Sequence, residues 1–163
     1  MTSKNTARNQ IPAIYRLAKK AGYWDSRLQG VDLGCGYDRL SQHLYDEEGV
    51  HCLGYDPEWK TEEQNRAVMD GMYRRSDFVT LSNVLNVIEG QGPRAGTLTL
   101  AHRFLRKGGA LFVTVYEGDK QGRGGTTRDG WQENRRLKDY LSEVQEVFPN
   151  AKAKGGMIVA TKD

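Results

Sequence analysis

Val31-Asp32-Leu33-Gly34-Cys35-Gly36 is the stretch whose reading decides the fold. Leu28 to Leu33 is a short apolar run of the kind a buried strand makes, and Gly34-Cys35-Gly36 stops it. Leu40, His43 and Leu44 then recur at helical spacing, so the segment reads as strand, glycine turn, helix. Immediately downstream, Val50 to Tyr55 predicts a second strand ended by Asp56-Pro57, because proline cannot continue a ladder. A connection rich in Glu and Lys leads to Arg66-Ala67-Val68-Met69, a predicted third strand ending at Asp70-Gly71. Asp77 to Ser82 predicts a fourth. Ala95, Leu98, Ala101, Phe104 and Leu105 mark a helix that closes at Lys107-Gly108-Gly109, before a strand over Ala110 to Tyr116. Upstream, Ile11, Ile14, Tyr15, Ala18 and Ala21 predict an amphipathic helix, with Asn9 as its cap and Pro12 in its first turn.

Toward the C-terminus, Glu117 to Gly130 holds Gly118, Gly122, Gly124, Gly125 and Gly130 together with Lys120, Arg123 and Arg128, and reads as an exposed mobile loop. Trp131, Leu137, Tyr140, Leu141 and Val144 predict a last helix. Val147-Phe148 and Met157-Ile158-Val159-Ala160 are expected to form a closing antiparallel hairpin. Strands alternating with helices at short spacing require right-handed crossovers. The expected fold class is therefore α/β, a doubly wound, mostly parallel sheet with helices on both faces and a C-terminal antiparallel hairpin. The expected organisation is a single domain over residues 1–163, with residues 1–27 an N-terminal helix or lid and 28–163 the core.

Composition narrows the function classes. The 163 residues carry 24 Lys plus Arg against 21 Asp plus Glu, a net charge of +3, far from a polyanion-coating protein. At 37% hydrophobic and 28% charged the chain is polar, yet its apolar residues cluster densely enough for a core. No apolar run approaches the length that spans a bilayer, and Met1 to Arg16 has no signal-peptide segment, so a cytoplasmic protein with no membrane partner is expected. Cys35 and Cys52 belong to no metal-ligand spacing, so no disulfide framework and no metal site are expected.

In an open α/β sheet a ligand sits beyond the carboxyl ends of the strands. Gly34 and Gly36 let the backbone pass close beneath it, and the following helix offers unpaired N–H groups to an anionic group. Asp56, twenty residues after Gly36, stands where an acid accepts both hydroxyls of a ribose. An adenosine ligand fits both.

These residues resemble class I S-adenosylmethionine-dependent methyltransferases of Rossmann-like fold over most of the chain: Val31 to Gly36 looks like their glycine-rich first motif, and Asp56 like their second-strand acid. The resemblance implies S-adenosylmethionine as cofactor, with Asp32 ordering the loop, Gly34, Cys35 and Gly36 holding its methionine part, and Asp56 and Pro57 its ribose. It implies Asp70 at the adenine amine, with Gly71 and Met72 beside the ring. Ser82-Asn83-Val84-Leu85-Asn86-Val87-Ile88 resembles the fourth motif, between cofactor and acceptor, so that Ser82 faces the cofactor while Asn83 and Asn86, with Tyr116 at the rim, are the candidate catalytic residues. Asp38 replaces the motif's third glycine, and Arg39 disfavours the dinucleotide fingerprint, leaving NAD the runner-up cofactor. Asn83 followed by Val84-Leu85 departs from the proline-aromatic pattern of adenine amino-methyltransferases.

A narrower resemblance, to methyltransferase-like proteins found with DNA phosphorothioation systems and in phages, rests on Gly54-Tyr55-Asp56-Pro57, Asn83 to Glu89 and Thr127 to Gln132. It implies nucleic-acid-related work, with Lys120, Arg123 and Arg128 facing phosphates. A cofactor-binding module acting with a partner subunit, and an S-adenosylmethionine-cleaving or NAD-dependent enzyme on the same scaffold, are the alternatives. Cys35 reads as a small turn residue, and His43, His51 and His102 as packing or surface groups.

Overall fold

A computed structural model describes residues 10–163. The expected Asn9 cap and the first nine residues lie outside the described residues. The chain runs α1 (Ala13–Lys20), β1 (Gln29–Leu33), α2 (Arg39–Glu48), β2 (His51–Tyr55), α3 (Glu62–Met72), β3 (Ser76–Ser82), α4 (Gln91–Phe104) and β4 (Leu105–Thr114). It continues through β5 (Gly124–Thr127), β6 (Gly130–Glu133), α5 (Leu141–Val147), β7 (Lys152–Lys154) and β8 (Met157–Thr161). Six strands make one sheet in the order β2-β1-β3-β4-β8-β7, and β5-β6 form a separate hairpin. β1 to β4 pair in parallel, while β8 runs antiparallel to β4 and β7 to β8. The expected fold class is the observed one.

Alternation along each strand divides the core in two. Val31, Val79, Leu111 and Ile158 pack with Val68, Leu98, Phe104 and Val144 on one face of the sheet. Cys52, Phe78, Ala110 and Phe112 pack with Ile14, Leu40 and Leu44 on the other. Gly30 is required between the central strands, since a Cβ there would lie 2.5 Å from the Phe78 carbonyl oxygen.

Several local expectations are corrected. Arg66 to Met69 is not a strand but part of α3, whose Asn65, Val68 and Met72 turn inward at helical spacing. Thr61 and Gln64 close its first turn as a capping box. No strand therefore ends at Asp70, and β2 is left as one edge of the sheet. The predicted mobile loop contains β5, which pairs with β6 as a hairpin that places Thr126 opposite Trp131. The predicted last helix starts too early, because Trp131 lies in β6 and the helix begins only after a 3-10 turn over Leu137–Tyr140. Val147 ends α5, so the closing hairpin uses Lys152–Lys154 instead.

Candidate functional site

A cavity of about 480 Å³ opens beyond the carboxyl ends of β1, β2 and β3. Its floor is Asp32 and the turn Gly34 to Tyr37, one wall is Tyr55 to Trp59, and the opposite wall is Ser82, Asn83, Val84, Val87 and Ile88. Gln10 to Ala13 before and into α1 cover one side, and Thr97 and Leu100 of α4 another.

The glycine turn is built by the ends of its neighbouring strands. Gly34 N–H donates to the Tyr55 carbonyl at 2.7 Å, which folds the turn across the end of β2. At Gly34 φ is +84°, and a Cβ would lie 2.6 Å from Val84 Cγ2, so any side chain there is both strained and obstructed. Asn83 is itself left-handed at φ 58°, with its N–H bound to the Thr114 carbonyl at 2.9 Å. That local geometry aims the Asn83 segment at the cavity.

Asp56 acts first as an organiser of loops. Its Oδ2 accepts from Gly36 N–H at 3.0 Å, and its Oδ1 from the N–H groups of Glu58 and Trp59 at 2.9 and 3.3 Å. A carboxylate offers about four acceptor positions, so roughly one remains for a ligand hydroxyl. Asn65 holds the Asp56 backbone from α3, accepting from its N–H at 3.0 Å and donating to its carbonyl at 3.1 Å.

Asp32 is 2% exposed and accepts from Thr80 Oγ1 at 2.8 Å. Burial pushes its carboxyl up to about 7 against the pull of the Thr80 hydrogen bond, and the carboxylates of Asp38 and Asp56 push the same way. A cation in the cavity would relieve that cost. Cys35 and Cys52 have thiols held well above their usual range, chiefly by burial, so neither supplies a thiolate. Among the described residues no cluster of His, Cys, Asp and Glu can hold a metal ion, and no helix is long and apolar enough to cross a membrane.

Of the residues expected at the site, Asp32, Gly34, Cys35, Gly36, Asp56, Pro57, Ser82 and Asn83 line one cavity. Asp70, Gly71 and Met72 do not: they ride on α3, the first two exposed and Met72 in the core, because the strand that was to present them is a helix. Asn86 is 1% exposed in the 3-10 turn Leu85–Val87, behind the wall, and Tyr116 is 57% exposed past the end of β4. Tyr37, Tyr55, Trp59, Thr97 and Leu100 are wall residues that sequence reasoning missed. Tyr37 and Trp59 carried a signal, as aromatics just beyond each strand-end motif.

A buried ionic cluster backs the Asn83 wall. Arg94 Nη1 donates to the Ile88 carbonyl at 3.1 Å and Nε to Glu143 Oε1 at 3.0 Å. Tyr140 donates to Glu133 Oε1 at 2.7 Å, and Arg135 bridges Glu133 and Glu143 at 3.3 and 3.4 Å. The cluster ties the root of the β5-β6 hairpin to the cavity wall.

Residues 7–150 match the family described as methyltransferase domain. The chain belongs to that family. No curated protein matches the sequence. Among solved structures, Burkholderia thailandensis 1,6-didemethyltoxoflavin-N1-methyltransferase, bound to 1,6-didemethyltoxoflavin and S-adenosylhomocysteine, is 15% identical with a TM-score of 0.64, over 91% of this chain and 76% of that one. A Methanosarcina mazei S-adenosylmethionine-dependent methyltransferase is 13% identical with a TM-score of 0.63, over 88% of this chain and 96% of its own. Haemonchus contortus phosphoethanolamine N-methyltransferase 2, in complex with phosphomonomethylethanolamine and S-adenosylhomocysteine, is 15% identical with a TM-score of 0.59, over 87% of this chain and 39% of its own. At such identities the likeness is one of fold. The methyl donor of this methyltransferase is S-adenosylmethionine, and the site fits it: the side-chain-free cradle at Gly34, the buried carboxylate of Asp32 and the unpartnered buried Ser82 Oγ all belong to the same cavity.

Proposed function

We propose that this methyltransferase moves the methyl group of S-adenosylmethionine to an anionic acceptor, a nucleotide or a nucleic-acid strand, at the rim between Asn83 and Tyr116, and that it does so in the cytoplasm. The donor supplies a methyl group already activated on a sulfonium sulfur, so the protein's task is alignment and exclusion of water. Asp32 supplies negative charge for the donor's cationic end, and Gly34 to Gly36 allow close approach. Asp56 and Pro57 close the ribose side. Asn83 and Tyr116 orient the acceptor, and Asn86 supports the Asn83 segment from behind.

The observation that carries the acceptor class is the placing of the hairpin. β6 packs on the 3-10 turn whose Val87 is cavity wall, and Lys120, Arg123 and Arg128 are exposed on the arm that β6 anchors. Cations on an arm rooted at the cavity wall raise the local concentration of an anionic acceptor. The resemblance of Thr127 to Gln132 and Asn83 to Glu89 to the phosphorothioation-associated and phage group supports the same reading.

The test is transfer of labelled methyl from S-adenosylmethionine to single-stranded RNA, single- and double-stranded DNA and mononucleotides, with the wild type and a Lys120→Ala/Arg123→Ala/Arg128→Ala protein. Labelling of one of these acceptors, with KM raised about tenfold or more in the triple variant and kcat kept, is expected. Labelling that ignores the three cations, or none with any anionic acceptor, overturns the acceptor class.

A further inference from the structure

Asp38 sits at φ 60° and ψ 26°, in left-handed conformation at the start of α2. An ordinary side chain there costs about 1 kcal/mol that glycine does not. Its Oδ1 is buried without an N–H or O–H donor. Room for it exists only because residue 54 is glycine: a Cβ on Gly54 would run into Asp38 Oδ1 and lie 2.6 Å from Cys35 Sγ. Strain, a buried carboxylate oxygen with no N–H or O–H donor and an obligatory neighbouring glycine would all be relieved by glycine at position 38. Fold stability is therefore not what this side chain provides.

What it provides is reach. Asp38 Oδ2 pairs with Lys60 Nζ, on the turn between β2 and α3 that also carries Asp56, Pro57 and Trp59. Two further contacts span the same gap: Gly36 N–H on Asp56 Oδ2 at 3.0 Å, and the rings of Tyr37 and Trp59 with centroids 4.6 Å apart. Tyr37 and Trp59 are cavity wall, whereas Asp38 and Lys60 stand outside it. The ion pair thus acts on the two aromatic rim residues from behind, without touching the ligand.

We propose that Asp38 and Lys60 are a positioning pair, a clasp that holds the glycine turn to the β2-α3 turn and slows release of the cofactor. The clasp replaces the third glycine of the first motif with a cross-loop tie, and it rests on the cofactor site described above. Closing the two turns over a ligand adds to the barrier for leaving more than to the barrier for entering, so the effect belongs to the dissociation rate.

The experiment is stopped-flow binding of S-adenosylhomocysteine to the full chain, followed by tryptophan fluorescence, for wild type, Asp38→Gly, Lys60→Met and Lys60→Arg, with melting curves for each. Release about tenfold faster or more in Asp38→Gly and Lys60→Met, with association within about threefold of wild type and release restored in Lys60→Arg, is expected. Asp38→Gly should melt at or above the wild type, since it removes the left-handed strain. Wild-type release rates in both Asp38→Gly and Lys60→Met overturn the clasp alone, and so does fast release in Asp38→Gly accompanied by a lowered melting temperature. Absence of binding to the wild type overturns the cofactor site and the clasp with it.

Discussion

Asp32→Asn should stabilise the ligand-free protein above neutral pH while weakening its hold on the cofactor. In the folded protein the Asp32 carboxyl is raised from 3.8 to about 7, foremost by burial. In the unfolded chain it returns to about 3.9. Between those values the native state keeps a proton that the unfolded chain has released, so this group makes stability fall as pH rises, by about 1.4 kcal/mol per unit, levelling near pH 7. About three units of separation give a cost of up to about 4 kcal/mol above neutrality. At 2% exposure, solvent screening does little to reduce it. Asparagine keeps an oxygen for Thr80 Oγ1 and carries no charge to bury. The assay is a series of melting curves from about pH 4.5 to pH 8: the variant should melt on the order of 10 °C above wild type at the upper end and converge with it at the lower. Binding of S-adenosylhomocysteine near pH 7, measured by calorimetry in buffers of different ionisation enthalpy, should release up to about half a proton in the wild type and none from this position in the variant. Identical pH profiles for the two proteins would refute the reasoning, because they would mean that Asp32 ionises as readily inside the fold as outside it.

Three further outcomes are expected. Asp56→Ala removes the acceptor shared by the N–H groups of Gly36, Glu58 and Trp59, and should weaken S-adenosylhomocysteine binding by more than about tenfold in a titration. Gly34→Ala, with its Cβ 2.6 Å from Val84 Cγ2 at a positive φ, should destabilise the protein by about 1–3 kcal/mol in urea melts and cost cofactor affinity in the same preparation. Arg94→Met takes one of two cations from the buried carboxylates of Glu133 and Glu143, leaving Arg135 to both, and should lower stability by about 2–3 kcal/mol, read as a drop in urea midpoint, whereas Arg66→Met at an exposed pair should change it by under about 1 kcal/mol.

The sequence alone determined the α/β class, the parallel core and the position of the glycine turn, because each of these is written in neighbouring residues. A strand ending at Gly34, a helix starting at Arg39 and a second strand ending at Asp56 need only local alternation, helical spacing and a stop. The same locality misled at Arg66 to Met69, where four residues are too few to separate strand from helix. The capping box Thr61 to Gln64 was the legible sign of a helix there. Losing that strand is what removed Asp70 to Met72 from the site.

Tertiary structure decided everything that depends on partners far apart in the chain. The walls contributed by Thr97 and Leu100, the Asp38–Lys60 pair and the Arg94, Glu133 and Glu143 cluster join residues that have no periodic relation in sequence. Sheet order decides which loops meet, and only then do burial and charge act on the groups brought together. Asp32 is an ordinary aspartate in the sequence, and its raised carboxyl arises because the packed sheet excludes water from it and places Asp38 and Asp56 nearby.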